Sequence, residues 1–159
     1  MRVCVCVQEL DEAELLYTAA RPQPRSPRAA DLSQLPYLNA VFHEAMRVLP
    51  PAPFGTIRSL PETATIGGHT LRKGTSIVVS PYSVHHNKAN WGDDAGAWRP
   101  ARWLEGRSLN AVKRDATGAL RWLPFSVGTQ NCIGQHLASV RLPCKTDLQQ
   151  KDLIRNKPL

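Results

Sequence analysis

Leu38, Val41, Phe42, Ala45 and Leu49 recur at intervals of three and four residues, the spacing that lines apolar side chains along one face of an α-helix. Ser33 is placed to cap this helix, Pro36 suits its first turn, and Pro50-Pro51 stops it. Near the start, Val3, Val5 and Val7 alternate with Arg2, Cys4 and Cys6, a pattern that fits either a strand or the frayed start of a helix. Good helix formers then run from Val7 to Tyr17. Between the two helices, Arg21–Arg28 is broken by Pro22, Pro24 and Pro27 and predicts an exposed connector. Further on, Thr63–Ile66 and His69–Leu71 flank Gly67-Gly68, a hairpin-turn dipeptide. Lys73-Gly74 makes a second turn before the β-branched run Ser76–Ser80. Ile133, Leu137 and Val140 form a last helical stripe, which Pro143 ends. The pattern predicts a mainly α fold with a small antiparallel β-sheet and long irregular loops.

Composition narrows this only a little. A chain of 159 residues with 42% hydrophobic and 21% charged content suits one globular domain with a real core. Thirteen prolines explain the long irregular connections. Much of the net charge of +7 lies in Arg21–Arg28 and the last fifteen residues, which reads as a solvated tail. The basic residues lack aromatic interleaving, so no nucleic-acid partner is expected. Cysteines at positions 4, 6, 132 and 144 form neither a C-x-x-C pair nor a secreted framework, which argues against zinc. No apolar run is long enough to span a bilayer, and Met1–Val7 lacks the core of a signal peptide.

The candidate chemistry sits late in the chain. Phe125, Gly128, Cys132 and Gly134 stand at F-x-x-G-x-x-x-C-x-G spacing, directly before the last helical stripe. Gly128 and Gly134 permit tight turns and close approach of a flat ligand. Backbone N–H groups at a helix start stabilise a thiolate there. Such a thiolate suits the axial position of haem iron, where it favours O–O cleavage.

This loop resembles the cysteine signature of the cytochrome P-450 haem-thiolate monooxygenases, F-x-x-G-x-[RH]-x-C-x-G. The sequence departs from it at Gln130, where the family usually has a cation for a haem propionate. Two further motifs agree in order. Glu44 and Arg47 form an E-x-x-R on the helix that opens L-P-Y-L-N and closes at P-P. Trp98-Arg-Pro100-Ala-Arg102-Trp103 is similar to the family's F-x-P-x-R-[FW], and Val84-His85-His86 resembles the turn before it. The two histidines read as hydrogen-bonded turn residues, since no further ligand accompanies them. After Ala138 the resemblance fades; Arg141 stands where the family commonly has a glutamate.

The resemblance implies a partial cytochrome P-450 fold, its proximal half, lacking the distal helix and the final sheet. Residues 1–34 would be a helix remnant and Pro/Arg-rich connector, residues 35–142 the proximal haem-thiolate segment, and residues 143–159 a disordered basic tail. Cys132 would ligate the iron of haem b, with Phe125, Gly128 and Gly134 shaping its loop and Arg58 reaching a propionate. Glu44, Arg47 and Arg102 would act as structural clamps, Arg102 donating to the carboxylate that Arg47 also engages. No catalytic residue is expected among them. The parent enzyme would insert one oxygen atom of O2 into an apolar substrate, bordered by Pro51–Ile57. Electrons would come from NADPH through a reductase or a ferredoxin-type redox partner. The chain alone is expected to be inactive, as a fragment or truncated product. Two other readings are a haem-free remnant acting as an interaction protein, and a haem-thiolate peroxidase or isomerase. The family often resides in the endoplasmic-reticulum membrane, but no anchor or signal fixes a location here.

Overall fold

Among the described residues the longest helix is α2 (Pro36–Val48), the axis on which the other elements are placed. The computed structural model describes residues 3–13, 29–105, 112–114 and 117–139. Helix α1 (Val3–Glu12) settles the ambiguous valine pattern in favour of a helix and packs against α2. A 3-10 turn over Ala29–Gln34 leads into α2. The connector at Arg21–Arg28 and the tail at residues 143–159 lie outside the described residues.

The predicted cap of α2 is not the one found. Ser33 lies within the 3-10 turn, and the N-cap position is Leu35, which has no polar side chain to offer. Glu9 of α1 takes over that task from a distance. Its two carboxylate oxygens accept from the backbone N–H groups of Tyr37 at 2.7 Å and Leu38 at 3.0 Å. A carboxylate there also complements the positive end of the helix. Leu10, Leu35 and Leu38 bury together beside this contact.

The apolar stripe of α2 is only part of its buried surface. Leu38 and Phe42 are buried as expected, but Leu49 is 76% exposed. Ala40, His43, Glu44, Met46 and Arg47 are buried instead, so α2 is enclosed on more than one side. The main core gathers Phe42, Met46, Trp91, Trp103, Val112, Trp122 and Phe125. Three of these are tryptophans, drawn from separate parts of the chain.

Among the described residues the strands form two separate two-stranded sheets, with an isolated antiparallel bridge between Arg114 and Leu120. Strands β2 (Ala64–Ile66) and β3 (His69–Leu71) form the predicted hairpin, with Gly67 at φ 58° and Gly68 at φ 83°. Two consecutive positive φ values define the primed turn that matches strand twist. Strand β4 (Ser76–Val78) pairs not with this hairpin but with β1 (Ile57–Ser59), in the register Arg58 opposite Ile77. Two short helices follow, α3 (Pro81–His86) and α4 (Lys88–Trp91), capped by the side chains of Ser80 and Asn87. An irregular stretch then runs to a 3-10 turn at Pro100–Trp103, which packs against α2. No described helix is long and apolar enough to cross a membrane.

Candidate haem-thiolate site

Glu44 and Arg47 lie one turn apart on α2 and are both fully buried. Arg47 donates Nε to Glu44 Oε2 and Nη2 to Glu44 Oε1, each at 2.9 Å. This bidentate fork is the strongest arrangement available to the pair. The remaining Arg47 donors reach the carbonyl oxygens of His85 at 2.9 Å, Ala95 at 2.5 Å and Ala97 at 2.8 Å. Arg102 closes the group by donating Nε to Glu44 Oε1 at 3.1 Å. Its other nitrogens pair with Asp94, at 3.2 Å to Oδ1.

The Glu44 carboxylate also accepts from the backbone N–H of Arg99 at 2.8 Å and from the indole N–H of Trp103 at 2.9 Å. Burial opposes ionisation of Glu44, but the hydrogen bonds from Arg47, Arg99 and Trp103 outweigh it and hold its carboxyl below the usual range. The Trp91 ring lies under three guanidinium groups, those of Arg121, Arg47 and Arg102, at 4.7, 5.2 and 5.9 Å from its centroid. The structure therefore assembles Glu44, Arg47 and Arg102 into one buried charged cluster, and adds Trp103, which the sequence did not single out for this contact.

The cysteine loop follows from Trp122. The Trp122 indole donates to the carbonyl of His43 at 3.2 Å, and its ring meets Phe125 edge-on. Phe125 is buried in the main core, so its link to Cys132 runs through the backbone: Cys132 N donates to Phe125 O at 2.8 Å. Gly128 has φ 84°, where a side chain would strain the turn, and Ser126 adopts φ 62° without that freedom. After the loop, a helical segment runs over residues 135–139.

Cys132 itself is a free, exposed cysteine at the entrance to that segment. A Cβ at Gly134 would stand 3.7 Å from the Cys132 sulfur, so the glycine leaves space beside it. Val127, Ile133 and Leu137, close to it in sequence, are 51%, 101% and 60% exposed. Among the described residues no cluster of three or more His, Cys, Asp or Glu side chains is placed to hold a metal ion. A lone exposed sulfur is the protein donor set that would suit iron whose remaining ligands come from a macrocycle. Arg58 lies on exposed β1 and Gln130 on an exposed turn of the loop; the structure does not draw either side chain into the buried cluster.

His43 and His85 are buried neutral rings. Burial pushes the pKa of each down to about 4. His43 sits among Phe42, Trp103 and Trp122, its Nδ1 bonded to the carbonyl of Asn39 at 2.7 Å. His86 bonds the carbonyl of Tyr82 at 2.9 Å and stacks on its ring.

The site thus joins a buried E-x-x-R pair, an arginine from the 3-10 turn at Pro100–Trp103 closing on it, and a glycine-flanked cysteine just before a helical segment. The chain belongs to the cytochrome P450 family, whose profile it matches over residues 8–144. It is 40% identical over 116 residues to cytochrome P450 monooxygenase sphH of Aspergillus fumigatus, covering 73% of this chain and 21% of that protein. It is 37% identical over 121 residues to the mitochondrial 1,25-dihydroxyvitamin D(3) 24-hydroxylase of Mus musculus, covering 76% and 22%. A zebrafish cytochrome P450 solved with progesterone superimposes with a TM-score of 0.72 at 28% identity, covering 94% of this chain and 30% of that one. The chain thus spans about a fifth of the length of these curated relatives.

Proposed function

We propose that this chain is the haem-binding segment of a cytochrome P450 monooxygenase, in which Cys132 supplies the axial thiolate. The observation that carries the reading is the placement of Cys132. It is an exposed, free thiol whose backbone is fixed to Phe125, at the mouth of a helical segment and in a loop anchored on α2 through Trp122. Gly128 and Gly134 would shape that loop, Phe125 would anchor it in the core, and Arg58 would face a propionate. Glu44, Arg47 and Arg102 would clamp the irregular segment so that the loop keeps its position. When bound, haem b supplies the activation of O2 for insertion of one oxygen atom into an organic substrate.

Membership of the family supports a redox partner that delivers electrons from NADPH, either a reductase or a ferredoxin-type protein. Phe54 and Ile57, 76% and 68% exposed, support an apolar substrate edge at Pro51–Ile57. The test is spectroscopic. The full chain is purified with haem, reduced and exposed to carbon monoxide. A strongly red-shifted Soret band is expected, and it should vanish in Cys132→Ala. Identical spectra from the two proteins would overturn the assignment.

A further inference from the structure

We infer that His85 is a positioning residue that ties the Glu44–Arg47 cluster to the loop carrying Cys132, an inference that rests on the haem-ligand reading of that loop. His85 is fully buried at the end of α3 and meets the two sides of the junction with different atoms. Its carbonyl oxygen accepts from Arg47 Nη1 at 2.9 Å. Its ring Nε2 accepts from the backbone N–H of Leu123, also at 2.9 Å. One residue therefore touches both the arginine of α2 and the entrance of the cysteine loop.

The ring chemistry fixes the direction of this contact. A backbone N–H can only donate, so Nε2 is the unprotonated nitrogen and the neutral ring carries its proton on Nδ1. Nδ1 is buried without a partner among the described residues. Burying an unmet donor is unfavourable, so what the ring contributes lies in its other nitrogen. A neutral acceptor is also what burial of this imidazole favours.

What the contact holds is the first turn of the loop. The Leu123 carbonyl accepts from Ser126 N at 3.2 Å, and the Phe125 carbonyl accepts from Cys132 N at 2.8 Å. Between them Ser126 stands at φ 62°, a left-handed conformation that a non-glycine residue keeps only when its surroundings enforce it. His85 supplies that enforcement at the entrance, and Cys132 receives it at the exit. The route from Glu44 to Cys132 is thus Arg47, the backbone and ring of His85, Leu123, then Phe125.

The experiment uses the isotopically labelled full chain. In wild type, a nitrogen–nitrogen coupling across the hydrogen bond should connect Leu123 N with His85 Nε2; its absence would overturn the inference. Two variants then separate positioning from packing. His85→Gln can present an amide oxygen near the Nε2 position, whereas His85→Leu fills space without an acceptor. Amide exchange at Leu123 and Cys132 should rise about tenfold or more in His85→Leu and stay within about threefold of wild type in His85→Gln. The Leu49 amide, which donates to Ala45 at the end of α2, should change in neither. Equal exchange in the two variants, or Leu49 rising together with Leu123, would show packing alone. Should His85→Leu fail to fold, the wild-type coupling and the His85→Gln exchange still decide. In haem-loaded protein the red-shifted carbon monoxide band should persist in His85→Gln and diminish in His85→Leu. Coupling in a wild type that shows no such band would remove the haem-ligand reading while leaving the loop contact in place.

Discussion

The indole N–H of Trp103 donates to Glu44 Oε2 at 2.9 Å, across a sequence separation of 59 residues. Both residues are buried, and the contact brings the last residue of the W-R-P-A-R-W segment onto the same carboxylate that Arg47 and Arg102 engage. Glu44 therefore works as the acceptor that joins α2 to the segment Arg99–Trp103. A carboxylate suits that role because it offers about four lone-pair directions, and here each is needed.

This arrangement makes the cluster costly to open from any side. Glu44→Gln should destabilise the chain by about 3–5 kcal/mol, because it leaves the buried Arg47 without its carboxylate. Arg102→Met leaves Glu44 paired with Arg47 and should cost about 1.5–3 kcal/mol. Trp103→Phe keeps the packing and removes one donor, so about 1–2 kcal/mol is expected. Lys88→Ala changes only an exposed pair with Asp93 and should leave the midpoint in place. Denaturant melts read all four. Equal midpoints for Glu44→Gln and Lys88→Ala would mean that the cluster is energetically idle.

Acid should weaken the fold in a defined window. The pKa values of His43 and His85 in the folded chain, about 4, lie below the ordinary 6.5 because burial disfavours the charged ring. A depressed folded pKa means that the unfolded chain binds protons first. Their contribution is therefore complete above pH 6.5 and is lost as pH falls from there towards 4. Glu44 adds a further loss at lower pH, where its depressed carboxyl begins to protonate. Melts between pH 7.5 and 4 should show this decline. His43→Asn and His85→Gln should each flatten it; profiles parallel to wild type would exclude the rings as its source.

Glu9 should matter more than an exposed helix residue does. Glu9→Ala removes the acceptor for the Tyr37 and Leu38 amides and uncaps α2. The expected cost is about 1–2 kcal/mol, near the upper end for a helix cap. Hydrogen exchange should quicken at Tyr37 and Leu38 while the Leu49 amide stays protected. Unchanged exchange at the two capped amides would show that water serves them as well.

The turn of the cysteine loop makes a prediction about backbone strain. Gly128→Ala places a side chain at φ 84° and should cost about 1–2 kcal/mol. No atom lies within 4 Å of the added Cβ, so the loss would come from conformation and not collision. Gly96→Ala is the comparison, since Gly96 has no positive φ and equal space. Matching midpoints would remove strain as the reason for glycine at position 128.

Local patterns made part of this molecule legible. The α2 helix follows from its three-and-four spacing, and the hairpin from Gly67-Gly68, because both signals act between near neighbours. The partner of β4 was not legible, since β1 has three residues and no turn to announce the pairing. Periodicity placed Leu49 on the buried face, yet it stands exposed while Arg47 is enclosed. A charged residue looks like surface until the carbonyls that surround it are known, and these come from residues 38 to 50 positions away. The same distance hid the Glu9 cap and the His85–Leu123 contact. The motif residues were recognisable from family likeness, which conveys their positions but not the geometry between them.

The three carbonyls bound by Arg47 have a consequence for how this chain acquires its shape. Ala95 and Ala97 belong to an irregular stretch outside every named helix and strand, where local turn bonds such as Ala95 N to Gly92 O and Ala97 N to Asp94 O are little to hold it in isolation. Their fixation requires loops of 48 and 50 residues to close onto α2. Loop closure costs entropy before any contact repays it, which slows structures made from distant pairings. The stretch should therefore order late and in one concerted step with the Glu44 contacts, while α2 and the β2–β3 hairpin form early. In refolding, protection at Arg99 N should lag behind that of Leu49 N, and Arg47 sets the length of that delay.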